Sequence, residues 1–515
     1  MLNNYARMMN YLNHADARSG QRGVVILLFV ITLLLGAAAI FYGLSTVTPP
    51  AIERDRKTAE ALLLAKAALI SYAVSVNFSG ASATIRPGDL PCPDLTDSGT
   101  GTSCGNAAGS LQASRLGRLP WKTLGLPDLR DGDGERLWYA VSNNFKRNTR
   151  TTCTASAPES TTCLNSDTRG TITIRDTAGN ILHDATNTDP TASGVIAVVF
   201  SPGAILRRQD GVTQNRSCTG DAGCDATGLC LGTTTPKCNP VNYLDISGGE
   251  DNANFSDASG VPSTNGFING IILDRSGNLI VNDRLLVITY QELMPQLEKR
   301  VAAEVSNCLK AYATLNNGRY PWAAPVTNVT TPFSDGLNIV FGRIPDQPLL
   351  QTQLGATLIT LPVATFLQPA CDAAPSQCMR ASWPPTCLLP SNPSVSSWWN
   401  NWKLHVFYSV ADAYKPVISF TQPTPTTVSL GGITPPSGCP TCLTVNPPGS
   451  AADKKTVILV AGKRLPGVGT GQPRTSATIQ DTANYLEGEN NNSDSLFSKQ
   501  SSSATFNDTV ISSPP

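Results

Sequence analysis

The sequence predicts an α+β protein: an N-terminal transmembrane helix continued by an amphipathic one, then two duplicated helix-plus-antiparallel-sheet head units, disulfide-rich and loop-rich. Three observations carry this. Residues 24–47 hold no charged side chain, segments of the first half return in the same order in the second, and 14 cysteines all lie beyond the apolar run.

The leader, residues 1–23, carries Arg7, Arg18 and Arg22 against a single acid, Asp16. That basic bias keeps the amino terminus on the cytoplasmic side of a bilayer. Residues 24–48 are long enough to cross the hydrocarbon. Their far side reads Ser45-Thr46-Val47-Thr48-Pro49-Pro50, without the small-residue cleavage pattern of a secretory signal peptide, so the segment is expected to stay with the mature chain. Residues 49–78 then continue as an amphipathic helix. Leu62, Ala65, Leu69, Tyr72 and Val76 recur at helical steps, while Arg54, Asp55, Arg56, Lys57, Glu60 and Lys66 supply a wet side. Pro49 and Pro50 suit the junction, because proline is tolerated where a helix kinks or begins.

The duplication rests on ordered echoes. Residues 65–73 (AKAALISYA) return as 305–313 (VSNCLKAYA), and 137–146 (LWYAVSNNFK) as 406–415 (VFYSVADAYK). The apolar stretch 195–199 matches 456–460, Asn242-Tyr243-Leu244-Asp245 matches Asn484-Tyr485-Leu486-Glu487, and Asn282-Asp283 matches Asn507-Asp508. The first globular unit therefore spans residues 79–289, and the second, residues 290–515, repeats it with a disordered tail after Ser498. In the second unit Thr289 and Glu292 stand at capping-box spacing and Pro295 suits a first turn. Leu297, Val301, Val305, Cys308 and Tyr312 form the stripe of the helix that follows. Stretches rich in Pro, Gly, Ser and Thr, 423–448 and 328–332, read as loops.

Net charge is zero and charged residues are only 15% of the chain, which gives no electrostatic footprint for nucleic acid. So many cysteines indicate an oxidising compartment. Several lie close in sequence: Cys92 and Cys104, Cys153 and Cys163, Cys218 and Cys224, Cys230 and Cys238, Cys371 and Cys378, Cys439 and Cys442. Those local pairings would leave Cys308 for Cys387, although spacing alone does not settle connectivity.

The junction Gln21-Arg22-Gly23 followed by Val24-Val25-Ile26-Leu27-Leu28-Phe29 resembles the cleavage and membrane segment of type IV prepilins and type II secretion pseudopilins. The resemblance covers about 55 residues. It implies cleavage after Gly23 by prepilin peptidase, with Val24 as the N-methylated mature terminus. It also implies insertion in the bacterial inner membrane as a single pass, a head in the periplasm or on the cell surface, and partnership with other pilin or pseudopilin subunits through the N-terminal helix. Most members carry a glutamate at the fifth mature position, where this chain has Leu28. The family's large tip pseudopilin and some minor pilins also lack it, so the departure points to a minor subunit that caps or primes a filament. Two alternatives stay open: a surface adhesin borne on such a filament, and a bitopic periplasmic protein with no filament role. Within the first head, 126–139 (LPDLRDGDGERLWY) resembles the turn and paired-aromatic strand of major pseudopilins, and 245–251 (DISGGED) resembles their calcium-binding loop.

Candidates for chemistry are few. Oxygen-rich loops at Asp128, Asp131, Asp133 and Glu135, at Asp245, Glu250, Asp251 and Asp257, and at Glu487, Glu489 and Asp494 offer the hard ligands calcium takes, the second set foremost, as a structural ion. None has the EF-hand spacing. Cys439-Pro440-Thr441-Cys442 has redox-motif spacing but sits in a helix-hostile loop, where a structural disulfide is expected. Beyond His14 in the leader there are only His183 and His405, and no nucleophile elbow, phosphate loop or zinc-protease motif occurs, so no enzyme activity is expected. Trp398, Trp399 and Trp402 beside Asn400 and Asn401 read either as core or as a binding surface for a sugar or protein.

Overall fold

The computed structural model describes residues 50–76, 85–95, 97–101, 115–146, 153, 163–216, 240–253, 266–328, 333–336, 338–346, 348, 351–354, 357–360, 383–387, 389, 397–416, 419–420, 428–429, 436, 438–447, 449, 451–465 and 471–514. The leader and the apolar run 24–48 lie outside them. The chain divides into two compact units, Met1–Ala59 and Glu60–Pro515. In the first, Arg56 and Lys57 pair with Glu53. The sheets, cores and cavity described below belong to the second unit.

Helix α1, Pro50–Ser75, occupies most of the amphipathic stretch. Leu62, Ala65, Leu69 and Ala73 are buried, whereas Leu63 and Leu64 are exposed, the split a 3.6-residue period imposes. By length and composition, residues 51–75 form the one described helix apolar enough to cross a membrane, yet this inward face belongs to the head's core.

In the first half, strands β1 (Leu116–Arg118), β2 (Trp138–Val141) and β5 (Ala197–Ser201) join β7 (Arg284–Ile288) in a four-stranded sheet of order β1-β2-β5-β7, antiparallel throughout. Beside it lies a three-stranded sheet in which β3 (Thr173–Arg175) pairs antiparallel with β4 (Ile181–His183) and parallel with β6 (Gly266–Ile268). The large sheet is buried on both faces. Tyr139, Val141, Ala197 and Val199 share a core with α1, while Trp138, Ala140, Val198 and Phe200 pack with Ile174, Phe267 and Tyr243. Strand alternation sorts the two sets.

The second half opens with α2, Tyr290–Leu315. The Thr289 N–H and hydroxyl both donate to Glu292 Oε2, at 2.9 and 3.0 Å, as the capping spacing predicts. Pro295 sits one turn deeper than expected, inside the helix, because α2 starts at Tyr290. Strands β8 (Phe341–Arg343), β9 (Val406–Val410), β12 (Thr456–Val460) and β14 (Thr509–Ser513) form a second antiparallel sheet of order β8-β9-β12-β14. A second three-stranded sheet pairs β10 (Leu443–Asn446) antiparallel with β11 (Ala452–Lys454) and parallel with β13 (Leu496–Ser498). A short helix α3, Ser397–Trp402, precedes β9.

Two expectations are corrected here. The stretch 423–448 is not loop throughout: Leu443 and Val445 alternate inward in β10, and that apolar alternation outweighs the flanking prolines. Nor is the tail after Ser498 without structure, since β14 pairs residue for residue with β12 and buries Val510. The boundary at 289/290 falls between β7 and α2, within the compact unit of residues 60–515.

Gly117 in β1 and Gly342 in β8 occupy corresponding strand centres for one reason. A Cβ on Gly117 would lie 2.8 Å from Asp94 O, and one on Gly342 would lie 2.0 Å from Ala324 O, because the main chain at Asp94 bridges β1 and that at Ala324 bridges β8.

Candidate functional site

Of the processing and assembly positions, Arg22, Gly23, Val24, Leu28 and Pro49 lie outside the described residues, and Pro50 is the first residue of α1. Among the described cysteines, Cys153 bonds Cys163, Cys308 bonds Cys387 and Cys439 bonds Cys442, while Cys92 is also disulfide-bonded. The partners Cys104, Cys218, Cys224, Cys230, Cys238, Cys371 and Cys378 lie outside the described residues. The tryptophan cluster is buried: Trp398, Trp399 and Trp402 are 2% exposed or less, so they build core rather than an open binding face.

The acidic loops spend their oxygens inside the protein. Asp245 is fully buried. Its Oδ1 accepts from Gln214 Nε2 at 2.8 Å, and its Oδ2 accepts the main-chain N–H groups of Asn282 and Asp283. Glu250 pairs with Arg175 and accepts from Gly266 N–H. Asp251 pairs with Arg208, and Asp257 lies outside the described residues. Asp128 takes Arg130 and Arg136, and Asp131 accepts from Ser201 Oγ and Gly203 N–H. No cluster of three or more metal-type ligands occurs among the described residues.

The second half repeats this network. Glu487 accepts from Gln472 Nε2 at 3.0 Å and from Asn507 N–H at 3.0 Å. Asn252 bridges Ile268 and Asp283, and Asn490 bridges Ser498 and Asp508. Arg118 and Arg216 flank the Tyr243 ring, as Arg343 and Arg474 flank Tyr485. Burial pushes Asp283 and Asp508 well above the usual carboxylate range, helped by the second acid beside each, Asp245 and Glu487.

The arrangement with no counterpart inside either half lies at their seam. Asp167, from the first half, accepts from Arg474 Nη1 at 3.1 Å, from the Arg464 N–H at 2.9 Å and approaches His405 Nε2 at 3.1 Å, all from the second. Burial alone would raise this carboxyl, but the Arg474 guanidinium and His405 hold it well below the usual range. Burial lowers His405 despite that partner. Close by, Lys463 of the second half reaches Asp189 and Thr191 of the first at 2.7 and 2.8 Å.

A cavity of about 800 Å³ opens along this seam between Thr191, α2, β14 and residues 499–502. On its wall, Glu298 is only 5% exposed, and its Oε2 accepts from Thr509 Oγ1 at 3.2 Å. Burial pushes its carboxyl up to about 8, against the weaker pull of the Ser166 and Thr509 hydroxyls. Sequence reasoning missed Asp167, Glu298 and Arg474, since lone charged residues far apart in the chain carry no motif. The only trace was Glu298 standing next to Leu297 on the apolar stripe of α2.

No protein-family model matches this chain, and neither a curated protein nor a solved structure is significantly similar to it.

Proposed function

We propose that this chain is a minor, large-headed subunit of a type IV pilus or type II secretion-type filament. In this reading residues 24–48 hold it in the bacterial inner membrane, prepilin peptidase cuts after Gly23, and the subunit caps or primes assembly with other pilin or pseudopilin subunits. The work is assembly rather than catalysis.

The observation that carries the reading is α1. It begins at Pro50, directly after the apolar run, and buries Leu62, Ala65, Leu69 and Ala73 in the head. A membrane helix that becomes the spine of a head is what a filament subunit requires, since the head must be held rigidly to the part that packs with neighbours. The resemblance around Arg22 and Gly23 supplies the reason for the cut. A duplicated head is supported by the equal strand orders of the two large sheets, the parallel β3–β6 and β10–β13 pairings, and the repeated acid and amide network. A head of two such halves, with Leu28 in place of the usual acid, suits a position where nothing stacks above.

Mass spectrometry of the mature amino terminus tests this. N-methyl-Val24, lost when prepilin peptidase is inactivated, is the expected result. An intact Met1 leader on membrane-inserted protein would overturn the filament reading and leave the bitopic one.

A further inference from the structure

Glu298 stands apart from the other buried acids. Asp245, Asp283 and Glu487 cap main chain inside one half, and Asp167 is matched by cations. Glu298 sits where the halves meet, on α2, against Thr509 of β14 and beside Ser166 of the first half. Its sequence neighbours Leu297 and Val301 are fully buried, so the helix cannot turn it to solvent without unpacking the core. The cavity on its open side is large enough for many waters.

We propose that Glu298 is a proton-controlled latch on the seam between the two halves: protonated, it closes the α2–β14 face, and ionised, it draws water in through the cavity and loosens that face. The inference does not depend on the filament reading. A buried carboxylate without a matched cation is strongly disfavoured, so losing the proton must be met by hydration, by a cation or by movement.

The charged and titratable groups facing Glu298 favour the first and the last of these. On its own helix are Tyr290, whose hydroxyl donates to Ser166 O, and exposed Lys299 on the cavity rim. From the first half come Asp167 and Asp189, both negative. From the second come Arg474, His405 and Arg464, turned to Asp167, together with Lys463, held by Asp189, and the buried Asp508. Arg474, Arg464 and Lys463 are thus already committed to other acids, while Lys299 and Lys499 stand exposed on the cavity rim. Because the folded-state carboxyl titrates above its unfolded value, the stability it contributes is fullest below about pH 4.5 and is lost as pH rises through about 8.

The test is amide hydrogen exchange by mass spectrometry on the full chain in detergent, from pH 6.5 to 9.5, corrected for intrinsic exchange, in wild type and Glu298→Gln. In wild type, protection of residues 290–300 and 509–513 is expected to fall by about one decade per pH unit from pH 6.5, about thirtyfold in all, and to level off above about pH 8. Peptides from β2 and β5, inside the first half, should hold their protection. Glu298→Gln, which keeps the acceptor without the charge, should stay protected across the range. A wild-type profile flat with pH would overturn the latch, and so would the same loss in Glu298→Gln, which would move it to another group. A Glu298→Gln chain that cannot fold at pH 7 would also overturn it, since the latch is neutral there.

Discussion

Asp245 and Asp283 cap each other's main chain: the Asp245 N–H donates to Asp283 Oδ2 at 2.8 Å, and the Asp283 N–H donates to Asp245 Oδ2 at 3.3 Å. The second half makes a matching connection, in which the Glu487 N–H donates to Asp508 Oδ2 at 3.0 Å and the Asn507 N–H donates to Glu487 Oε2 at 3.0 Å. Each pair ties the loop after the Arg-flanked tyrosine to the start of the last sheet strand.

That role predicts how Asp508 responds to substitution. Asp508→Ala leaves the Glu487 N–H buried without an acceptor and takes one of two acceptors from the Asn490 amide, at a cost of about 2–4 kcal/mol in urea unfolding at pH 7. Asp508→Asn keeps the acceptor oxygen and removes the titration. Since the folded-state carboxyl of Asp508 is raised by burial, wild-type stability declines from acid to alkaline pH, so Asn should gain on wild type as pH rises. An Asn variant that loses ground between pH 5 and 9 would contradict the assignment.

Asp167 should behave in the opposite sense. Its folded-state carboxyl is depressed, so its contribution is present above about pH 4 and disappears as pH falls through the lower folded-state value. Asp167→Ala strands the fully buried Arg474 and is expected to cost about 3–5 kcal/mol at pH 7, with the deficit shrinking in acid. Equal deficits at pH 7 and pH 2.5 would mean that packing, not charge, holds the seam.

The two faces of α1 give a stability contrast. Leu69→Ala opens a hole in the shared core and should destabilise the head by about 2–5 kcal/mol. Leu63→Ala, at 59% exposure, should stay within about 0.5 kcal/mol in the isolated protein. Thermal melts of both variants decide it, and a large loss at Leu63 would show that this face is covered.

Calcium removal is expected to leave the melting temperature unchanged. Asp245, Glu250 and Asp251 already give oxygens to Gln214, Arg175 and Arg208, and these donors compete with a cation for them. A drop in melting temperature with chelator, restored by calcium, would show that Asp257 or another acid completes a site.

Much of the framework could be read along the chain, because helical stripes and strand alternation are local. The buried face of α1, the Thr289–Glu292 cap, strands β2, β5, β9 and β12, and the local pairings Cys153–Cys163 and Cys439–Cys442 follow from spacing and period, and Cys308–Cys387 is what the local pairings leave over. The acidic loop at Asp245 illustrates where such reading stops. Its carboxylates look available in sequence, and only folding brings Gln214, from 31 positions earlier, and Asn282, from 37 positions later, to occupy them. The tryptophans of α3 carry the same lesson, since nothing local distinguishes a buried Trp399 from an exposed one.

By itself, then, the sequence determined the elements whose cause is periodic or adjacent: the apolar run, the amphipathic helix, the buried strands and the ordered echoes between halves. Tertiary structure alone decided that β14 closes the second sheet, that the halves share one compact unit, and that Asp167 and Glu298 face a common seam. The physical reason is that a charge's meaning lies in its partners. Asp167 meets Arg474 across 307 positions, a separation over which no local pattern survives.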